Sequence, residues 1–392
     1  MTADAPTGGQ RPRRLRTRVP YVTLALLGLA SVAALVLGGV TTARQNEHAV
    51  PTATPPAAGS AAALCRQPVQ KPAQEPWLAG DGSAEQVWQQ HADEVAQPYI
   101  IGPNGWIFWS DYIEQYASQA VGRDTLSESE IARWVDYYGS IRDGLAAQGV
   151  EFYIVVTPST SSIYPEELPS WMQPLRGSTI LDQFMAASAD LPVVDLRQPL
   201  IDAKTPDVNL FSWSNSHWTD YGGYVGWSAL AACVNAMFPD APGLRVPAVS
   251  GHEVIGDFNE WASFGVTSPG ADWAVPIFSD PLQEVTVTDK DGATSTVPGS
   301  SVMDASKLPL STTVPDSWTG KSALIVRDSM GGALSPYWDQ AYSPTWQVSH
   351  AYTGFADFPK YRELVAQYKP NVVVLQLAER HLINTPPPGA SY

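Results

Sequence analysis

The chain has 392 residues, enough for one large domain or two. Its 39 acidic against 23 basic side chains leave a net charge of −16, which excludes nucleic acid as a partner because phosphate binding needs a basic face. Two cysteines and six histidines show no metal-ligand spacing, so neither a metal nor another cofactor is expected.

The N-terminus is organised for a membrane. Residues 1–20 form a basic tail with Arg11, Arg13, Arg14, Arg16 and Arg18. Residues 21–43 carry no charge and match the ~20 apolar residues that cross a bilayer. Positive charge stays inside, so the tail is expected to be cytoplasmic and the rest of the chain extracytoplasmic, held to the cell membrane by a single-pass transmembrane signal-anchor. Thr41-Thr42-Ala43 offers the competing reading, a cleavable signal peptide, whose apolar core is usually only about 7–15 residues. Residues 44–76, with Pro51, Pro55, Pro56, Pro68, Pro72 and Pro76, read as a Pro/Ala-rich linker that lifts the domain off the membrane. Outside the cytoplasm an even cysteine count favours a disulfide, here Cys65 to Cys233, pinning the incoming chain to the domain.

Residues 77–385 read as the folded domain, followed by a tail at 386–392. Its pattern alternates. A helix over Ile131–Gln148 precedes an apolar strand at Phe152–Val156, and a helix around Thr179–Ala189 precedes another at Leu191–Leu196. Gly222–Met237 reads as a helix, Ser322–Val326 as a strand, Tyr361–Tyr368 as a helix and Asn371–Leu377 as the last strand. Near-continuous apolar strands separated by helices predict an α/β fold with a parallel sheet covered on both faces. Glu284–Thr288 and Thr294–Val297, joined through Asp291-Gly292, predict a β-hairpin inside a less regular insert, as an excursion from the sheet near the site.

Two strings carry chemistry. The strand at Ser322–Val326 ends in Arg327-Asp328-Ser329-Met330-Gly331-Gly332, a tight strand-to-helix turn of the kind that lifts a serine hydroxyl clear of a sheet. Ser329 is the candidate nucleophile, with Arg327, Asp328, Met330 and Gly331 as support and source of oxyanion-hole N–H groups. Upstream, Trp213-Ser214-Asn215-Ser216-His217-Trp218-Thr219 precedes a Gly-Gly helix start and supplies a candidate base, His217. Together they propose acyl transfer.

In combination these strings resemble the SGNH-hydrolase-like domain of the alginate O-acetyltransferase family (AlgX/AlgJ type). Ile101-Gly102-Pro103-Asn104-Gly105-Trp106-Ile107-Phe108, Tyr164-Pro165-Glu166-Glu167-Leu168-Pro169, Ile255-Gly256-Asp257-Phe258 and Leu377-Ala378-Glu379-Arg380 are similar to further family motifs, so the likeness covers roughly residues 95–385. It implies a three-layer α/β/α fold, circularly permuted so that His217 precedes Ser329. It also implies O-acetylation of a cell-envelope or secreted polysaccharide through a serine acyl-enzyme. The implied partners are the polysaccharide acceptor and a multipass membrane acyltransferase that supplies acetyl groups. Longer family members carry a carbohydrate-binding module that this chain has no room for after Pro386-Pro387-Pro388-Gly389.

One position departs from the family. Asn215 stands where an Asp normally precedes the histidine by two residues. Asn215 could orient His217 without charge, another carboxylate (Asp220, Asp328 or Glu379) could serve it, or the site could be weak or dead. A carbohydrate acetylesterase and a non-catalytic glycan-binding or assembly subunit therefore stay open beside the transferase. Trp213 and Trp218 are candidate sugar platforms, Arg327 and Asp328 could cap the turn or pair with Glu379, and His252, His350 and His381 read as structural.

Overall fold

The structure is a computed structural model that describes residues 61–350 and 358–392. The basic tail, the apolar segment 21–43 and the first part of the linker lie outside the described residues. Among the described residues no helix is long and apolar enough to cross a membrane.

The strands, in chain order, are β1 (Tyr99–Ile101), β2 (Ile107–Trp109), β3 (Glu151–Thr157), β4 (Val193–Asp195), β5 (Val249–Val254) and β6 (Ala274–Phe278). They continue with β7 (Val285–Thr288), β8 (Thr294–Val297), β9 (Leu310–Thr313), β10 (Lys321–Arg327), β11 (Tyr342–Ser349) and β12 (Val372–Ala378). Eight of them form one sheet in the spatial order β4-β3-β12-β10-β11-β9-β7-β8. The run from β4 to β11 is parallel. The remainder is antiparallel, because β9 pairs with both β11 and β7. The hairpin β7–β8 is therefore the far edge of the main sheet and not an excursion from it; β9, which carries no apolar run, is the link that the sequence hides.

The central parallel strands β3, β10 and β12 carry apolar runs because both faces are covered. Ala323, Ile325, Tyr153 and Val155 join one core, while Leu324, Val326, Ile154 and Val156 join the other. Among the helices are α1 (Ala61–Cys65), α2 (Glu128–Ala146), α3 (Ile180–Ala187), α4 (Asp220–Met237) and α5 (Tyr361–Tyr368). Helix α4 covers the first face through Trp227, Leu230 and Val234; α2 covers the second through Ile131, Trp134, Tyr138, Ile141 and Leu145. Each such side chain contributes roughly 1.5–3 kcal/mol on burial. Capping boxes fix where α2 and α3 begin: Ser127 with Glu130, and Thr179 with Asp182.

Two boundaries move. Residues 61–76 read as spacer from composition, yet Cys65 is buried and disulfide-bonded to Cys233 in α4. Arg66 donates to the carbonyls of Met185, Ser188 and Leu191, and Glu75 accepts from Ser178. The tail at 386–392 is docked as well: Arg133 donates to Pro386 O and Tyr392 N–H to Ser140 Oγ. Proline content says nothing about what a segment's polar groups can bond, and here they bond to the domain.

Candidate active site

Strand β10 delivers the nucleophile. Residues 323–328 and 330–342 are all buried, and Ser329 between them is exposed. The turn Met330–Leu334 starts directly after it. Asp328 anchors the turn from below. Its Oδ1 accepts Met330 N–H and Gln376 Nε2, both at 2.9 Å. Its Oδ2 accepts Ala378 N–H at 2.6 Å and faces His350 Nε2 and His381 Nδ1, each at 3.0 Å. Burial would raise this carboxyl, but the hydrogen bonds from His350 and His381 hold it well below the usual carboxylate range. Arg327, fully buried, donates to Gln347 Oε1, Asp328 O and Met303 O. Desolvation lowers it to about 10, so it stays charged at neutral pH.

These findings correct parts of the sequence reading. Arg327 and Asp328 support the turn, but neither pairs with Glu379, whose carboxylate accepts Ser159 N–H and Ser162 Oγ. The Met330 N–H is spent on Asp328, so it is not an oxyanion donor. Gly331 is needed for space: a Cβ there would stand 2.5 Å from Gln376 Oε1 and 2.9 Å from Arg327 Cδ. His350 and His381, which show no ligand spacing in sequence, meet at Asp328, a group of metal-ligating type among the described residues. Both rings turn to one carboxylate oxygen that also takes Ala378 N–H, so the carboxylate is already satisfied by protons.

The base sits on a closed loop. Phe211 and Trp218 form a β-bridge, Ser212 N–H donates to His217 O at 3.2 Å, and Thr219 N–H donates to Leu210 O at 2.9 Å. Thr219 then caps α4 by accepting Gly222 N–H at 3.1 Å. The Gly-Gly pair is a packing requirement: a Cβ on Gly222 would meet Leu210 O at 2.0 Å, and one on Gly223 would meet Ala333 Cβ at 2.6 Å. Helix α4 thereby lies against the nucleophile turn. Trp218 is not a sugar platform, because it is 1% exposed and its indole donates to Met330 O at 2.8 Å, tying the two loops together. Trp213 is half-buried and donates to Gly270 O at 3.1 Å.

The two loops bring His217 Nε2 to 2.8 Å from Ser329 Oγ. On the other side of the ring, Nδ1 lies 2.8 Å from Asn215 Oδ1. The amide is held that way round because Asn215 Nδ2 donates to Phe258 O at 2.7 Å. Asn215 Oδ1 can only accept, so Nδ1 carries the proton and Nε2 is free to take the serine's. None of the carboxylates named from sequence reaches the ring. Burial raises Asp220 to about 6 beside Trp273, while Asp328 and Glu379 are engaged elsewhere. The carboxylate that does approach is Glu260, with Oε2 3.8 Å from His217 Nδ1. Sequence reasoning missed it, since it lies in the irregular insert just past Ile255-Gly256-Asp257-Phe258, with nothing in its own neighbours to mark it.

Comparison with known proteins bears on this architecture. A family model described as an SGNH hydrolase-like domain, acetyltransferase AlgX, matches residues 99–323. The probable alginate O-acetylase AlgJ of Pseudomonas fluorescens is 25% identical over 142 residues, 36% of this chain and 34% of that protein. The aligned part is thus about a third of that relative's length. Two solved structures share the fold. PatB1 of Bacillus cereus superposes with a TM-score of 0.54 at 14% identity, covering 72% of this chain and 97% of that one. A DHHW family protein from Eubacterium siraeum gives 0.51 at 12% identity, covering 74% and 93%. The matched family region contains His217 and ends before Ser329, so the pairing of the two rests on the geometry above. By the extent of the family match, this chain belongs to the AlgX-type SGNH hydrolase-like acetyltransferase domains.

Proposed function

We propose that the protein is an extracytoplasmic O-acetyltransferase that places acetyl groups on hydroxyls of a cell-envelope or secreted polysaccharide. The observation that carries this reading is an exposed Ser329 hydroxyl 2.8 Å from His217 Nε2, on a turn otherwise buried. His217 Nε2 takes the Ser329 proton as Oγ attacks the acetyl carbonyl, and returns it to the departing group of the donor. A sugar hydroxyl then gives its proton to Nε2 as it attacks the acetyl-serine, and Nε2 passes that proton to the departing Ser329 Oγ, which restores both side chains. Base catalysis of this kind contributes about 10²–10⁴ in rate. The kinship with a probable alginate O-acetylase supports a polysaccharide acceptor. Residues 21–43 would anchor the domain beside a multipass membrane acyltransferase that supplies the acetyl group.

Incubating the protein with an activated acetyl ester and measuring intact mass tests this. One acetyl should be gained on wild type and none on Ser329→Ala. A label that survives in the alanine variant removes Ser329 from the mechanism. Release of the label as fast without a sugar acceptor as with one would make the protein a carbohydrate acetylesterase instead.

A further inference from the structure

The insert between the two motifs folds back onto the His217 loop. Glu260 N–H donates to Ser214 O at 3.1 Å, Asn215 Nδ2 to Phe258 O at 2.7 Å and Ser214 Oγ to Asp257 Oδ1 at 3.2 Å. Asn259 caps the short turn Glu260–Phe264 by accepting Trp261 N–H at 3.0 Å, which sets the direction in which Glu260 leaves the backbone. Its Oε2 accepts Ser216 Oγ at 3.2 Å and lies 3.8 Å from His217 Nδ1. Its Oε1 is buried with no hydrogen-bond partner. Among the described residues, the side chain of basic type that Glu260 faces within ion-pair distance is His217, which gains charge when Nε2 takes a proton.

In a serine triad one aspartate does two things. It accepts the Nδ1–H bond that sets the tautomer, and it supplies the negative charge that stabilises the imidazolium. Asn215 can do only the first. At 3.8 Å Glu260 is beyond hydrogen-bond range of Nδ1. A charge at that distance, shielded on one side by protein, still acts on the ring. We infer that the two tasks are divided here: Asn215 orients His217, and Glu260 is the positioning residue that supplies its counter-charge. This rests on the proposed acyl transfer at Ser329.

Other acids near the loop are otherwise engaged. Asp257 accepts from Ser214 Oγ, and Asp272 accepts Ser212 Oγ and Trp213 N–H. Asp220 is turned to Trp273, and Asp328, from the nucleophile side, to His350 and His381. Glu260 is the acid among them that comes within 4.0 Å of the His217 ring.

The test uses the full chain with a chromogenic acetyl ester, comparing wild type, Glu260→Gln, Ser329→Ala and the double variant Asn215→Asp/Glu260→Gln. Removing the charge should lower kcat about tenfold to hundredfold with little change in KM, by the scale of a partly shielded charge pair. The protonated imidazole loses its counter-charge, so the acid limb of the pH–rate profile should move to lower pH. The double variant returns a carboxylate to the hydrogen-bonding atom and should recover most of the lost rate, which repair of a packing defect would not do. An unchanged kcat and an unchanged acid limb in Glu260→Gln, with Ser329→Ala inactive, overturn the division of tasks while acyl transfer stands. If wild type shows no Ser329-dependent turnover, acyl transfer fails with this donor, and ring-nitrogen NMR decides separately. A His217 Nδ1–H resonance that shifts in Glu260→Gln supports the pairing, and one that does not move overturns it.

Discussion

Ser329 stands at the buried end of β10, and His217 hangs on a surface loop, and the two are held by different means. Below Ser329 the turn is anchored by full charges taken out of water. Arg327 is bonded to Gln347, Asp328 O and Met303 O, and Asp328 to Met330, Gln376, Ala378 and two histidines. Beyond its base, where the buried Asp272 accepts Ser212 Oγ and Trp213 N–H, the His217 loop relies on neutral or partly exposed contacts to the insert: Ser214 to Asp257, Asn215 to Phe258, Ser216 to Glu260. The buried anchor cannot relax, because a missing partner would strand a charge in a medium that does not solvate it. The surface clamps can, because water replaces what is lost. Damage beneath the nucleophile should therefore appear as instability, and damage around the base as lost rate.

The largest effect expected from that contrast is at Asp328. Asp328→Ala strands the imidazoles of His350 and His381 and the N–H groups of Ala378 and Met330. It should cost about 3–5 kcal/mol in denaturant unfolding at neutral pH. A loss below about 1 kcal/mol would mean that the network under Ser329 is not what holds the turn.

Asp339 sharpens the same point through pH. Burial pushes its carboxyl up to about 7, against hydrogen bonds from Thr312, Thr345 and Gln347 that favour the ionised form. The folded-state value lies above the unfolded one. The stability this group contributes is therefore complete below about pH 4 and is lost as pH rises to about 7, a few kcal/mol in all. Thermal unfolding of wild type against Asp339→Asn should show a difference that changes across that window and is flat above it. A pH-independent difference would place the proton elsewhere.

The smallest effect belongs to the base side. Ser214→Ala removes the bond to Asp257 Oδ1, loosening the loop without leaving a buried charge. It should lower kcat by about tenfold or less and change unfolding by no more than about 1 kcal/mol. A large stability loss with unchanged turnover would reverse the contrast.

The legibility of the sequence follows the same division. Strands β3, β10 and β12 show as apolar runs because both of their faces meet helices. The adjoining β11 does not, because its buried side chains include Thr345 and Gln347, which bond Asp339 and Arg327, while Trp346 and Val348 are only partly covered. A pattern of hydrophobicity cannot report a face that is buried for its hydrogen bonds. His350 and His381 read as bland for the same reason: their meaning is a shared carboxylate, and their spacing along the chain carries none of it. Trp218, taken as a surface ring from its place beside His217, is a buried tie between the two loops.

By itself, then, the sequence determined the α/β class, the parallel centre of the sheet, the turn that exposes Ser329 and the pairing of Cys65 with Cys233. Each follows from local pattern or from a choice with few alternatives. Tertiary structure alone decided which acid approaches His217 and which N–H groups at the nucleophile turn are already spent. It also decided where the hairpin and the chain's flanking segments dock. Those outcomes depend on distances between residues far apart in the chain: Coulomb attraction and hydrogen bonding act over a few ångströms of space, and the order of residues along a backbone does not contain that measure.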